Sequence, residues 1–191
     1  APSLHKDGNR FLLYIPVKSE PNDIFVTWAN HIEGPWSDPR PLGLHRHIDP
    51  CFAVGEDDSR WLFLSGGDRV RLSQDALSIV GAIEHVYDPW RYPQDWIVEG
   101  FSPEGPKIHR IGRWYYLLTA VGGTAGPPTG HMVIAARASS LHGPWEHHPR
   151  NPLVRTASAA EAWWSRGHAS LVEGPDGKWW ALYHGYENGY W

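Results

Sequence analysis

A short pattern recurs four times along the chain, and nothing else in the sequence restricts the fold as strongly. Ala1-Pro2-Ser3-Leu4-His5-Lys6 leads through Asp7-Gly8 to Arg10-Phe11-Leu12-Leu13-Tyr14-Ile15, and Ile48-Asp49-Pro50-Cys51-Phe52-Ala53-Val54 leads through Glu56-Asp57-Asp58 to Arg60-Trp61-Leu62-Phe63-Leu64. Gly105-Pro106-Lys107-Ile108 leads through Gly112 to Trp114-Tyr115-Tyr116-Leu117, and His168-Ala169-Ser170-Leu171-Val172 leads through Asp176-Gly177 to Trp179-Trp180-Ala181-Leu182-Tyr183. Each copy reads as strand, tight turn, strand. A second half also repeats: Phe25-Val26-Thr27-Trp28-Ala29 runs to Gly34-Pro35-Trp36, and Met132-Val133-Ile134-Ala135-Ala136-Arg137 runs to Gly143-Pro144-Trp145. Units open at Pro2, Pro50, Pro106 and Ala169, with spacings of 48, 56 and 63 residues. Units of about four short strands at such a period predict an all-β fold made of propeller blades. No stretch holds a 3.6-residue apolar period long enough for a helical solenoid.

Composition agrees. With 41% hydrophobic and 20% charged residues the 191-residue chain can bury a core, and 20 Gly with 17 Pro favour turns over long helices. The reading is one domain over residues 1–191. Its first unit opens inside a strand and its last stops just after its second strand, which predicts a piece of a longer propeller, truncated at both ends. Residues 69–101 read as an irregular insertion carrying Trp90, Tyr92 and Trp96 among prolines, placed on a face where it could border a pocket. Trp90 and Trp96 are the rim candidates for substrate binding, whereas Trp28 and Trp61 lie within strand patterns and read as core. Twelve Trp, eight Tyr and five Phe exceed what a core needs, and such rings suit flat, weakly polar ligands such as sugars. A formal charge of -4 without Lys/Arg runs argues against a nucleic-acid partner. No run reaches the length of a membrane span, and the single cysteine, Cys51, reads as a buried filler.

The chemistry-bearing residues follow from the repeat. The first strand of each blade lies nearest the propeller axis, so residues at its start converge. The starts here carry Asp49, Glu104 and His168. Glu104 sits between Pro103 and Gly105-Pro106, which predicts a carboxylate on a stiff turn just before a strand. Two carboxylates at one pocket are the minimum for glycosidic bond cleavage: one protonates the departing oxygen while the other activates water or attacks. Arg166, beside Gly167-His168, could reach a sugar hydroxyl. Asp7 reads as a structural turn residue, and Glu99 as a loop charge.

The chain resembles glycoside hydrolase family 43, five-bladed propeller enzymes that remove xylose or arabinose from plant polysaccharides. The resemblance rests on Ala1-Pro2-Ser3-Leu4, Ile48-Asp49-Pro50, Glu104-Gly105-Pro106-Lys107-Ile108, Gly122-Gly123-Thr124, Ala136-Arg137-Ala138 through Leu141-His142-Gly143-Pro144-Trp145, and Gly167-His168-Ala169-Ser170-Leu171-Val172. It implies an inverting reaction with Glu104 as general acid and Asp49 as the auxiliary aspartate that raises and orients it. It implies that His168 helps to hold a calcium or sodium ion near the axis, directly or through water, and that His131 is a polar residue close to the substrate. No organic cofactor is implied. The family's general base, an aspartate of the first blade, has no equivalent here and is expected on residues outside this chain. The expected substrate is a xylo- or arabino-oligosaccharide; assembly into a homo-oligomer is left open, as are exo against endo action and compartment. An endo-arabinanase, a galactan-cleaving relative or a non-catalytic carbohydrate-binding propeller are the alternatives. The closing Tyr186-Glu187-Asn188-Gly189-Tyr190 resembles part of the family without a derivable role.

Overall fold

A computed structural model describes residues 1–18 and 20–189. The closing Tyr190 and Trp191 lie outside the described residues. The chain divides into two compact units, Ala1–Val86 and Tyr87–Trp191.

The first unit holds two four-stranded antiparallel sheets. One runs β1 (Ser3–Asp7), β2 (Arg10–Val17), β3 (Asp23–Ala29), β4 (Arg40–Pro41), and the other runs β5 (Cys51–Val54), β6 (Arg60–Phe63), β7 (Asp68–Leu72), β8 (Ile79–His85), both in sequential order. Such up-and-down sheets are the blades that the repeat predicts. Alternation places Leu12, Tyr14, Ile24 and Val26 of the first sheet and Phe52, Leu62, Val70 and Leu72 of the second into one apolar cluster. Complete burial of a Leu or Ile side chain contributes roughly 1.5–3 kcal/mol. The Tyr14 hydroxyl donates to the Ala76 carbonyl at 2.9 Å, and burial pushes its pKa well above the ordinary value. Asp7 sits between Arg10 and Arg60, both at 3.4 Å, so its role is structural as expected.

The second half of this unit corrects the sequence reading of residues 69–101. The stretch is an irregular insertion only beyond β8, because β7 and β8 occupy its first part. Alternating charges in Asp68-Arg69-Val70-Arg71-Leu72 disguise a strand whose Val70 and Leu72 are buried. Arg69 is itself buried, with its guanidinium 3.9 Å from the Trp61 ring and 2.9 Å from Glu84. Stacking and pairing offset the desolvation that would otherwise expel the charge.

The second unit is built on β9 (Gly100–Ile111), β10 (Trp114–Gly122), β11 (Met132–Ala138) and β12 (Glu146–His147), with β13 (Val154–Arg155) pairing the start of β11. A separate hairpin joins β14 (Trp163–Glu173) to β15 (Trp179–Glu187). Sequence equivalence carries into three dimensions at Gly34 and Gly143. Their φ angles are +92° and +77°, and a Cβ on either would meet the Cδ1 of Trp36 or Trp145 at 3.1 or 3.2 Å.

Candidate active site

Asp49, Gly105 and His168 open their blades with nearly the same backbone, φ +53°, +61° and +54°. Ser102 and Ser165, three residues before Gly105 and His168, also have positive φ, +33° and +47°. Only Gly adopts this region freely, so four non-glycine residues are held in it against their preference. The cause lies in the ladders. From Ile111 back to Lys107 strand β9 pairs with β10 in unbroken register, then slips, so that Glu104 faces Ala120 and Gly100 faces Gly122. Strand β14 pairs regularly from Glu173 to Ser170 and slips in the same place, leaving Gly167 opposite His184. These are β-bulges, which re-aim side chains at sheet rims.

Two expectations change as a result. Glu104 is not on a turn before a strand; it lies inside β9, within the bulged part. It is also one residue earlier than the position equivalent to Asp49 and His168, which Gly105 occupies. The missing side chain at 105 has a use: a Cβ there would lie 2.7 Å from Nε2 of His168. Gly105 therefore gives the His168 imidazole its seat.

Around Glu104 the second unit gathers three histidines. Nε2 of His131 is 3.9 Å from Oε1 of Glu104, with the Glu104 side chain 21% exposed and that of His131 fully buried. The His184 ring lies 5.0 Å from that of His131, tilted 31°, and 6.3 Å from that of His168. Tyr186 meets His184 edge-on at 6.0 Å. Burial, and then the charge of His168, pushes the His184 pKa below its ordinary value. Gly167 makes the packing possible, since a Cβ there would fall 1.8 Å from Cδ2 of His131.

His131, expected close to the substrate, is fully buried, and its Nε2 faces the carboxyl of Glu104. Arg166 lies on β14, where it pairs with Glu161 and donates from Nε to the Thr156 hydroxyl at 3.2 Å. Trp90 and Trp96 pack edge-to-face at 6.3 Å and lean on the buried cluster of Val121, Met132 and Ile134, while the Arg155 guanidinium covers Trp96 at 3.3 Å. They are half-buried. Glu99 accepts from the Ala125 amide at 2.7 Å, so the acid taken as a loop charge ties down the glycine loop after β10. In the first unit Asp49 is 3% exposed and faces the Ala1 amino group; an open cleft beside it is lined by Lys18, Asp23 and His47.

The ion implied at His168 fits these surroundings poorly. Calcium takes six to eight oxygen ligands. His168 is flanked by Gly105 and His184, and the described residues contain no group of three or more His, Cys, Asp or Glu placed to hold a metal. No chemical step below is routed through an ion.

His184 is the site residue that sequence reasoning missed. Unslipped counting from the Asp176-Gly177 turn sets it opposite His168, on a strand that reads only as aromatic and apolar. The bulge moves it opposite Gly167 and onto His131.

The bulged strands thus bring the partly exposed Glu104 carboxyl near the buried His131 imidazole, and comparison with known proteins places the chain in a family. The sequence profile of glycosyl hydrolases family 43 matches residues 1–191, so the chain belongs to this family. It is 32% identical to xylosidase/arabinosidase 43B of Humicola insolens over 93% of its own length and 34% of that protein. It is 31% identical to the non-reducing end α-L-arabinofuranosidase BoGH43B of Bacteroides ovatus, covering 83% of this chain and 28% of the relative. Among solved structures, the family 43 protein BlXynB of Bacillus licheniformis matches with a TM-score of 0.83 at 25% identity, over 98% of this chain and 37% of that one. The chain spans about a third of the length of these relatives.

Proposed function

We propose that the chain carries the acid half of an inverting glycosidase that removes terminal xylose or arabinose from oligosaccharides. The observation that carries this reading is the Glu104 carboxyl, partly open on one side and backed by buried His131 on the other. An acid so placed can reach a glycosidic oxygen while its far side is shielded from water. In the proposed step the Glu104 proton moves to the leaving oxygen as the bond from that oxygen to the anomeric carbon breaks. Water attacks the opposite face and yields its proton to a base, which we place outside this chain. An inverting pair of this kind stands roughly 6.5–9.5 Å apart. Asp49 takes the auxiliary role that raises the acid's pKa and orients it. Trp90, Trp96 and Arg166 remain candidates for the rim of the sugar site.

The names of the relatives support a five-carbon sugar and leave xylose against arabinose to experiment. The test is hydrolysis of nitrophenyl β-xyloside and α-L-arabinofuranoside by the longer gene product containing this chain, with and without Glu104→Gln and Asp49→Asn. The reading expects turnover of one or both substrates and a loss on the order of 10²–10⁴-fold with Glu104→Gln. Sugar binding without turnover would assign the chain to a carbohydrate-binding propeller instead.

A further inference from the structure

We propose that His131 is a positioning residue for Glu104, donating from Nε2 to Oε1 so that Oε2 carries the catalytic proton and the carboxylate left after transfer is stabilised at once. The proposal rests on Glu104 being the acid, and the test separates the two claims. His131 immediately precedes β11, whose first three residues, Met132, Val133 and Ile134, are buried and apolar. A fully buried imidazole there is costly unless its polar edge has work. Its surroundings are shaped for it: Gly167 leaves the space that its ring fills, and the His184 ring covers it. The titratable groups facing it are Glu104 from β9 and His184 from β15, with His168 of β14 beyond His184. The Glu104 carboxyl lies on the Nε2 side of the ring, and the 3.9 Å gap needs to close by roughly 1 Å to make a charge-assisted bond of ordinary length. Catalytic hydrogen bonds are often long before substrate binds and tighten in the complex.

The step balances without further reactants. The proton leaves Oε2 for the glycosidic oxygen, the bonding pair departs with the leaving group, and Glu104 becomes a carboxylate accepting from His131. Solvent restores the proton after product release.

The test compares, in the longer gene product, a disaccharide that it cleaves (xylobiose or its arabinose counterpart) with the dinitrophenyl glycoside of the same sugar, whose leaving group needs no proton. The expectation for His131→Ala and for Gly167→Ala, which displaces the ring while keeping it, is a fall in kcat on the disaccharide of roughly 30–100-fold. KM should stay within about threefold, and the dinitrophenyl rate should fall less than about threefold. His131→Gln, which returns an N–H donor, should recover most of the disaccharide rate. The ratio of the two rates does not depend on the folded fraction, so a poorly folding variant still reports. Parallel losses on both substrates, an effect confined to KM, or no rescue by Gln would overturn the positioning role. Glu104→Gln is the separate control: if it keeps disaccharide turnover, the acid assignment falls.

Discussion

The β1–β2 and β9–β10 hairpins occupy the same place in the repeat and are built to different standards. In the first, register runs unbroken from Asp7↔Arg10 to Ser3↔Tyr14, and alternation sends Leu12 and Tyr14 into the core. In the second, the ladder is regular only to Lys107↔Leu118, then slips twice, and its inner end presents Glu104 to the buried imidazole of His131 and Gly105 to the ring of His168. The regular hairpin obeys pattern, propensity and pairing together, and it serves stability. The bulged one breaks pairing, positive-φ preference and the rule against buried polar rings within a few residues. Violations gathered in that way mark function when something else holds the strain in place.

Substitutions can sharpen or break this contrast. The largest effect on stability is expected at Leu12, fully buried in the regular hairpin: Leu12→Ala should cost about 2–5 kcal/mol in denaturant unfolding while turnover per folded molecule persists. Next comes Gly105→Ala, where positive φ and the His168 ring 2.7 Å away should together cost roughly 1–3 kcal/mol. This variant should also lose turnover. Gly8→Ala is its counterpart in the β1–β2 turn, with φ +60° and nothing within 4 Å of the added Cβ; it should cost only about 1 kcal/mol and leave activity intact. Equal effects on activity at Gly8 and Gly105 would erase the distinction between the hairpins.

The smallest effect is on pH dependence. His109 and His184 both have pKa values below the ordinary 6.5, His109 through burial and then Lys107, His184 through burial and then His168. A depressed imidazole stays neutral when folded but gains a proton when unfolded, so the unfolded state binds more protons below pH 6.5. Stability is therefore complete above that pH and is lost as pH falls toward the folded values. Thermal melts across this window should show His109→Gln losing less on the acid side than the parent.

Much of this was legible in the sequence, and the exceptions have physical causes. Turns at Asp7-Gly8, Gly112 and Asp176-Gly177 announce themselves by residue type, and the hairpins follow. Strand β7 did not, because its arginines hide an alternation that only the Trp61 and Glu84 contacts of Arg69 explain. Glu104 stood out by its Pro and Gly neighbours, but its one-residue offset from Asp49 and His168 did not. Gly105 is the only one of the three equivalent positions whose residue type advertises a positive φ. The packing of His131 against His184 stayed hidden because neither burial nor a register slip is written in local pattern.

The central claim is that Glu104 gives its proton to the leaving oxygen. The direct measurement is kcat/KM for a series of glycosides of one sugar, from dinitrophenyl to methyl, with the longer gene product containing this chain as parent and with its Glu104→Gln variant. The account predicts a shallow dependence on leaving-group basicity in the parent and a steep one in the variant, the two converging at dinitrophenyl. Parallel dependences, offset by a constant factor, would contradict it.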